Sequence, residues 1–198
     1  MFLLHREYIN WPEWHSKLVE VDKRTNTPSK IMVWLTCSIC YGLMMLPCIY
    51  RLSSALDPSN TITWGMLGKF GIGLQILGIS VESIADVQKG SFKHLVGCRD
   101  RWCNVGLWNF STHPNYLGEM MFWFGTYIGG IASYNHINRW LLSSGGLIFI
   151  LMVLQNAIKS LSAKQSLKYG FDEDYVEFRR THSIFGPKRL QTRSNANF

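Results

Sequence analysis

The sequence predicts an all-α protein, specifically a multi-pass transmembrane helical bundle of about four spans with both termini in the cytosol. Several stretches of about 20 residues carry little or no charge, and this is the length that a helix needs to cross a bilayer. Lysine and arginine are concentrated in alternate connectors between these stretches, as the positive-inside rule requires. The competing interpretation is a soluble protein with buried core helices, in which charge-free runs of this length are uncommon.

Four segments are the predicted spans. Residues 31–50 and 140–158 contain no charged side chain, whereas 62–81 contains one, Lys69. The remaining span, 116–134, begins at a polar motif described below. Small residues let neighbouring membrane helices approach closely, and the second span has five glycines of this kind: Gly65, Gly68, Gly71, Gly73 and Gly78.

The charges orient these spans. Basic residues cluster before the first span, between the second and third, and after the fourth, while the other connectors offer only Arg51 and Arg139. We therefore expect a cytosolic N-terminal segment (1–30), a bundle (31–158) with a cytosolic loop (82–116), and a basic cytosolic tail (159–198). The net charge of +7 suits contact with anionic lipid and phosphate groups. No basic run carries a nucleic-acid-binding motif, so nucleic acid is not an expected partner.

The segment 82–119 carries the polar chemistry. Glu82 and Asp86 are four residues apart and hence share one helical face at the end of the second span. Acidic groups at a membrane boundary are candidates for function. They are also compatible with an interfacial cluster of salt bridges to nearby basic residues, which are equally able to hold phosphate: Lys89, Lys93, Arg99 and Arg101.

The third span opens with His113-Pro114-Asn115-Tyr116. Proline is favoured at the first position of a helix, and the amide donors at such a start can point at an anion or a carboxamide. Asn115 and Glu119 lie one turn apart on the same face. The six histidines are scattered without metal-ligand spacing, so no metal site is predicted. The five cysteines cannot form a complete set of disulfides.

Taken together, these motifs resemble the steroid 5α-reductase superfamily of membrane reductases, and most closely a poorly characterised branch of it. The resemblance is carried by an acidic pair before Gln88-Lys89, a basic loop, Gly106-Leu107-Trp108, and His113-Pro114-Asn115-Tyr116 followed by Gly118-Glu119. The stretch 6–14, Leu46-Pro47 at the end of the first span, the tail from Gln165 and the later Gly186-Pro187 also fit that branch.

The resemblance implies an oxidoreductase that uses NADPH to reduce a carbon–carbon double bond conjugated to a carbonyl in a lipid or sterol substrate. The residues that match cofactor contacts of the family, or fall close to one, are Asp86, Lys93, Arg101, His113, Asn115, Tyr116 and Glu119. Tyr116 would either stack on a ring or anchor at the interface, and His113 would either bond the cofactor or cap the preceding loop. Thr112 stands where the branch usually has a basic residue, so one charge contact is expected to be absent.

The resemblance names no catalytic residue, because the family's carbonyl-polarising groups lie on spanning helices before the segment with which this chain begins. Two other functions remain open. One is an S-adenosylmethionine-dependent membrane methyltransferase of the isoprenylcysteine carboxyl methyltransferase type, which has a similar His-Pro-x-Tyr-x-Gly motif. The other is a non-catalytic membrane scaffold. We expect the endoplasmic reticulum as the location, by analogy, and a possible homo- or hetero-oligomer.

Overall fold

In a computed structural model of the chain, the residues described are 20, 26–56, 65–95, 97–98 and 100–188. These residues are mostly helical, which confirms the predicted all-α class. The motif at 6–14, Arg99 and the last part of the basic tail lie outside the described residues.

Six helices and a pair of short strands follow one another in the described parts of the chain. They are α1 (Thr27–Leu56), α2 (Met66–His94), α3 (Leu107–Phe110), α4 (Pro114–Gly130), α5 (Ile137–Tyr169) and α6 (Glu173–Thr181), with a 3₁₀ turn (Ile131–Ser133) after α4. Strands β1 (His182–Ser183) and β2 (Gly186–Pro187) pair antiparallel. These strands were not predicted, because two residues are too few for a recognisable alternation.

Three of the helices, α1, α2 and α5, are long and apolar enough to cross a membrane. The third predicted span forms α4, which is shorter at 17 residues. Helix α2 has 29 residues and α5 has 33, so they are roughly 43 and 50 Å long. Both lengths exceed the hydrocarbon thickness of about 30 Å. The ends of both helices are therefore expected to extend beyond the hydrocarbon layer while remaining helical. Residues 82–94, which we assigned to a loop, form the last part of α2.

The chain divides into two compact units, residues 1–42 and 43–198. In the first unit, the described part of α1 is almost entirely exposed: Trp34 is 74% and Met32 is 64% accessible. Exposed apolar side chains on a helix of this length are typical of a surface that faces lipid.

In the second unit, α2 and α4 lie antiparallel and touch through glycine. A Cβ atom at Gly71 would lie 2.7 Å from the carbonyl oxygen of Gly125, and one at Gly78 would lie 2.6 Å from that of Gly118. Reciprocally, a Cβ at Gly118 would lie 2.6 Å from the backbone nitrogen of Glu82. No side chain fits at these positions without moving a backbone, so the two helices approach as closely as their main chains allow.

The predicted role of the glycines in α2 is therefore confirmed for Gly71 and Gly78. Gly65 and Gly73 have open space where a Cβ would stand. Helix α4 supplies the facing glycines, Gly118 and Gly125, whose role in packing was not predicted.

The opposite side of α4 packs on a hydrophobic cluster. Its buried members are Met44 of α1 and Ile150 and Leu154 of α5, and Tyr116 and Trp123 of α4 pack against them. Helix α4 is thus held between α2 on one side and α5 on the other, which fixes the direction of the polar residues at its start.

Candidate functional site

A cleft opens at one end of the second unit, where the last turns of α2 and α5 meet the segment 102–112 and helix α6. The cleft is small, with a volume of about 40 Å³. Among the residues that the structure describes, its lining contains three cationic side chains, Lys89, Lys93 and Arg179, and no carboxylate. We call it the basic cleft. A concave surface lined by one sign of charge concentrates counter-ions, so the basic cleft is suited to an anion.

The two lysines are held on aromatic rings. The Lys89 Nζ atom lies 4.5 Å from the centre of the Trp108 ring, and the Lys93 Nζ atom lies 3.3 Å from the hydroxyl oxygen of Tyr169. Lys93 also donates to the main-chain carbonyl of Arg101. Cation–π and hydrogen-bond contacts fix the ammonium groups in place, which lowers the cost of ordering them around a ligand.

An aromatic wall closes one side of the cleft. Trp102 lies 5.2 Å from Phe178 and 5.8 Å from Tyr175, measured between ring centres. The Trp102 indole nitrogen donates to Asp172 at 3.0 Å, and Asp172 also caps α6 by accepting from the Tyr175 amide at 3.2 Å. This single carboxylate therefore fixes both the wall and the helix that carries Arg179.

The remaining lining residues include Cys103, Thr112 and Gln165. Burial raises the pKa of the Cys103 thiol, against a smaller opposing effect of the nearby lysines. The thiol is therefore neutral at physiological pH and is not an activated nucleophile.

The motif Gly106-Leu107-Trp108 holds the segment 102–112 against α2. Gly106 has a φ of +54°, a region that favours glycine, and a Cβ there would lie within 2.6 Å of the Gln88 side chain. Gln88 accepts from the Leu107 amide at 2.9 Å, and the Trp108 indole donates to the Ala85 carbonyl at 2.8 Å. The physical role of this motif is to place the loop over the lysines of α2.

The hairpin formed by β1 and β2 holds the end of the segment 102–112. The Thr112 amide donates to the Ser183 carbonyl at 3.1 Å, and the Ser111 hydroxyl donates to the Ile184 carbonyl at 2.6 Å. His113, which follows, has no accessible surface. Burial, together with the charges of Arg179 and Lys89, lowers the pKa of His113 to about 4. This histidine is therefore neutral at pH 7.

Beyond His113, the polar residues of α2 and α4 face one another. Glu82 lies close enough to interact electrostatically with Asp86 and Glu119, and Tyr116 does so with the same two carboxylates. The close contact at Gly78 and Gly118 brings these groups together, because Glu82 and Glu119 each follow one of the contacting glycines by one turn or less. We call Glu82, Asp86, Tyr116 and Glu119 the acidic cluster.

The predicted cofactor residues fall into three places. Lys93 lines the basic cleft, whereas the side chain of Arg101 is exposed and does not line it. His113 is buried behind the cleft, and Asp86, Tyr116 and Glu119 belong to the acidic cluster. Asn115 is half-buried, and its Oδ1 atom is buried with no hydrogen-bond partner in the part of the chain that the structure describes.

Two of the three cationic residues of the cleft, Lys89 and Arg179, were not among those predicted to contact a cofactor. The position of Lys89 could have been predicted, because residues 82, 86, 89 and 93 recur at helical spacing and therefore lie on one face of α2. The position of Arg179 could not, because nothing in the sequence predicts that α6 folds back onto the segment 102–112. In the described residues, no group of three or more His, Cys, Asp or Glu side chains is placed to hold a metal ion.

Comparison with curated proteins and with solved structures gave no match in either case. A protein-family model does match, over residues 1–182 of 198. The matched region contains the basic cleft, the acidic cluster and every predicted span. The chain therefore belongs to the family described as "Protein of unknown function (DUF1295)".

Proposed function

We propose that this protein is a membrane oxidoreductase that uses NADPH to reduce a carbon–carbon double bond conjugated to a carbonyl in a lipid or sterol. The observation that carries the proposal is the basic cleft, whose described lining residues include three cations and no carboxylate. NADPH bears a pyrophosphate and a further ribose phosphate, and lysine and arginine are the side chains that bind such groups. Its nicotinamide supplies a hydride.

The residues present fit this cofactor. Lys89, Lys93 and Arg179 would hold phosphate oxygens, and the aromatic wall offers a surface for a ring. The buried, unpartnered Oδ1 of Asn115 would accept a hydrogen bond from a carboxamide. From Lys93 to Glu82 is 11 residues of helix, or roughly 16 Å, so the basic and acidic ends are separated on the scale of an extended nucleotide.

The acidic cluster lies where the reacting end of the cofactor would be. Its carboxyl and phenol groups are hydrogen-bonding partners for a carbonyl or for ribose hydroxyls. We assign no proton donor among them, since that role requires reach to a substrate atom.

The methyltransferase alternative is less compatible with the cleft. The methyl donor S-adenosylmethionine carries no phosphate, so the three cations of the cleft would have no phosphate group to bind. A scaffold with no ligand would not need these cations to be brought together, since gathering like charges costs free energy.

The proposed membrane arrangement has four spans, α1, α2, α4 and α5, with the basic cleft and both termini in the cytosol of the endoplasmic reticulum. It is supported by the clustering of cationic side chains at one end of α2 and α5. Arg101→Cys and Ile137→Cys provide the test with a membrane-impermeant thiol reagent. In sealed microsomes, whose cytosolic face is outward, and with the five native cysteines replaced, we expect the reagent to label position 101 directly and position 137 only after the membrane is opened. Labelling of both from one side would refute the arrangement.

The cofactor proposal is tested with purified protein, by titrating NADPH, NADH and S-adenosylmethionine separately. Trp102 and Trp108 line the cleft, so bound NADPH should quench tryptophan emission, and it should also raise the melting temperature. We expect NADPH to bind most tightly, since NADH lacks the third phosphate. Stabilisation by S-adenosylmethionine alone would favour the methyltransferase.

A matched pair of variants locates the site. Arg179→Gln removes a cation of the cleft, and losing one charge-assisted contact of about 1.5–3 kcal/mol should weaken NADPH binding about 10- to 100-fold. The neighbouring Arg180 is exposed and pairs with Glu177 at 2.7 Å, so Arg180→Gln should bind NADPH as the wild type does. Equal affinities of all three proteins would contradict the proposal.

A further inference from the structure

The outward side of α2, opposite its glycine contact with α4, indicates how deep the bilayer lies on this protein. This side is largely apolar and exposed from Met66 to Val87, which are 90% and 67% accessible. From Met66 to Val87 is 21 residues of helix, or roughly 32 Å, which matches a hydrocarbon layer of about 30 Å. Lys69, exposed one turn from the start, can extend its ammonium group to the head groups. Because the same side continues with the exposed polar residue Ser91, we place the boundary of the layer near Val87.

Two exposed phenylalanines lie close to this boundary. The hydrogen bond from the Trp108 indole to the Ala85 carbonyl holds α3 at the same level of α2. Phe110, two residues further on, is 55% accessible. A Cβ at Gly186 would lie 2.7 Å from the Phe110 ring, so the hairpin of β1 and β2 packs directly on that ring. Phe185, at the turn of the hairpin, is 69% accessible.

The turn of the hairpin satisfies its polar groups within the protein. The Phe185 amide donates to the Ser183 hydroxyl at 3.2 Å, and that hydroxyl donates to the Gly186 carbonyl at 2.9 Å. The Ile184 carbonyl accepts from the Ser111 hydroxyl. No side chain of the turn is charged. A turn in water does not need such bonds, whereas a turn in contact with lipid does, because no water is present to replace them.

We propose that the tip of this hairpin inserts into the bilayer, with Phe110 and Phe185 in the apolar layer beneath the head groups. Apolar side chains at a membrane surface are typically buried about 5–10 Å into the boundary between head groups and acyl chains. The tip lies at the depth where the outward side of α2 is still apolar, which favours lipid over a second protein as its partner. The chain thus returns to the membrane directly after α6, and this contact holds Arg179 near the basic cleft. The proposal requires α2 to cross the bilayer, and it does not require NADPH.

Phe171 provides a matched control at a different depth. It is 97% accessible and follows the end of α5. Ser162 of α5 lies 3.5 Å from His113 at the start of α4, and α5 rises roughly 10 Å further before it ends at Tyr169. Phe171 therefore lies well outside the apolar layer, although it is even more exposed than Phe185.

The test measures depth with a spin label in the full chain, reconstituted in nanodiscs with the five native cysteines replaced. Ile76→Cys, in the middle of α2, Phe171→Cys and Phe185→Cys each carry one nitroxide. Collisions with oxygen, which concentrates in the apolar layer, are compared with collisions with a water-soluble nickel chelate. We expect the label at 76 to be deepest, the label at 185 to lie about 5–10 Å below the phosphates, and the label at 171 to collide freely with nickel.

A second measurement keeps the native cysteines, in case their replacement prevents folding. Phe185→Asp removes an apolar side chain from lipid, so hydrogen exchange of the hairpin amides in nanodiscs should accelerate about 10- to 100-fold. Phe171→Asp should exchange at the hairpin like the wild type. Equal hairpin exchange in the two variants would overturn the proposal.

The labels separate the possible failures. Nickel collisions as frequent at 185 as at 171, with 76 still deep, would refute the insertion of the hairpin alone. Frequent nickel collisions at all three positions would refute it together with the span formed by α2. Dipolar broadening between labels at 185 in one disc would assign the tip to a second copy of the chain instead. None of these results involves NADPH, so failure of the proposed cofactor site is detected separately by the titrations.

Discussion

Two glycines of α2 that look alike in the sequence should respond to alanine in opposite directions. Gly78 and Gly73 are five residues apart in the same helix. A Cβ at Gly78 would lie 2.6 Å from the Gly118 carbonyl oxygen and from the Phe122 nitrogen, whereas a Cβ at Gly73 would have nothing within 4 Å. The pair therefore separates the effect of helix–helix contact from the effect of helix propensity.

The magnitudes follow from these distances. Ordinary contact begins at 3.4 Å, so the Gly78→Ala methyl requires the two helices to separate by about 0.8 Å. A gap of that size forfeits a quarter to a half of each dispersion contact across the interface, and overpacking typically costs about 1–3 kcal/mol. Gly73→Ala meets no neighbour and reduces the entropy lost on folding, so it should stabilise by roughly 0.5–1 kcal/mol.

The assay is reversible unfolding in mixed micelles, read by circular dichroism. We expect Gly78→Ala to unfold at a lower mole fraction of denaturing detergent than the wild type, and Gly73→Ala at a slightly higher one. Gly118→Ala, whose Cβ would lie 2.6 Å from the Gly78 carbonyl, should reproduce the Gly78→Ala result. If Gly78→Ala and Gly73→Ala shifted the midpoint in the same direction by similar amounts, the close packing of α2 on α4 would be refuted.

Three further predictions concern the parts around the basic cleft. The pKa of His113 is about 4 in the folded chain, below the ordinary 6.5, so unfolded chains take up a proton first as the pH falls. The free energy of unfolding should therefore decrease by about 3 kcal/mol between pH 6.5 and 4. Thermal melts at pH 7 and pH 4 should show a smaller loss of stability in His113→Gln than in the wild type. Asp172→Ala removes the α6 cap and the Trp102 partner; it should cost about 1–2 kcal/mol and blue-shift or broaden tryptophan emission. Asp100→Asn breaks an exposed pair with Lys168 and should leave the melting temperature unchanged within error.

The helical class and the location of the apolar helices were predictable because the signal is local. A charge-free run such as 31–50 or 140–158 predicts a helix by itself, without information from the rest of the chain. The ends of α2 and α5 were placed too early, since 81 and 158 mark where the apolar residues stop and not where the helix stops. No glycine or proline interrupts Glu82 to Lys89, so hydrogen bonding simply continues.

The site was predictable only in part. Asp86, Tyr116 and Glu119 do come together, because the second and third predicted spans are adjacent in sequence and form an antiparallel pair. Arg179 depends on α6 folding back, and that depends on contacts between Trp102 and residues about 70 positions later. Long-range contacts of this kind leave no periodic trace in a single sequence, so Arg179 was not predicted, whereas Arg101 was assigned from the family resemblance.

One face of α2 links the close helix contact to the basic cleft. Its residues recur at intervals of three, four or seven, and along the helix they change from glycine (Gly71, Gly78) to carboxylate (Glu82, Asp86) to lysine (Lys89, Lys93). The glycines determine the register of α2 on α4, and the same register determines how far the lysines stand from His113 at the start of α4. A rigid helix transmits any displacement at Gly78 along its axis, with only 11 residues, roughly 16 Å, between this contact and Lys89. The tight packing is thus also what holds two of the three cations opposite Arg179, so ligand affinity and helix packing should change together.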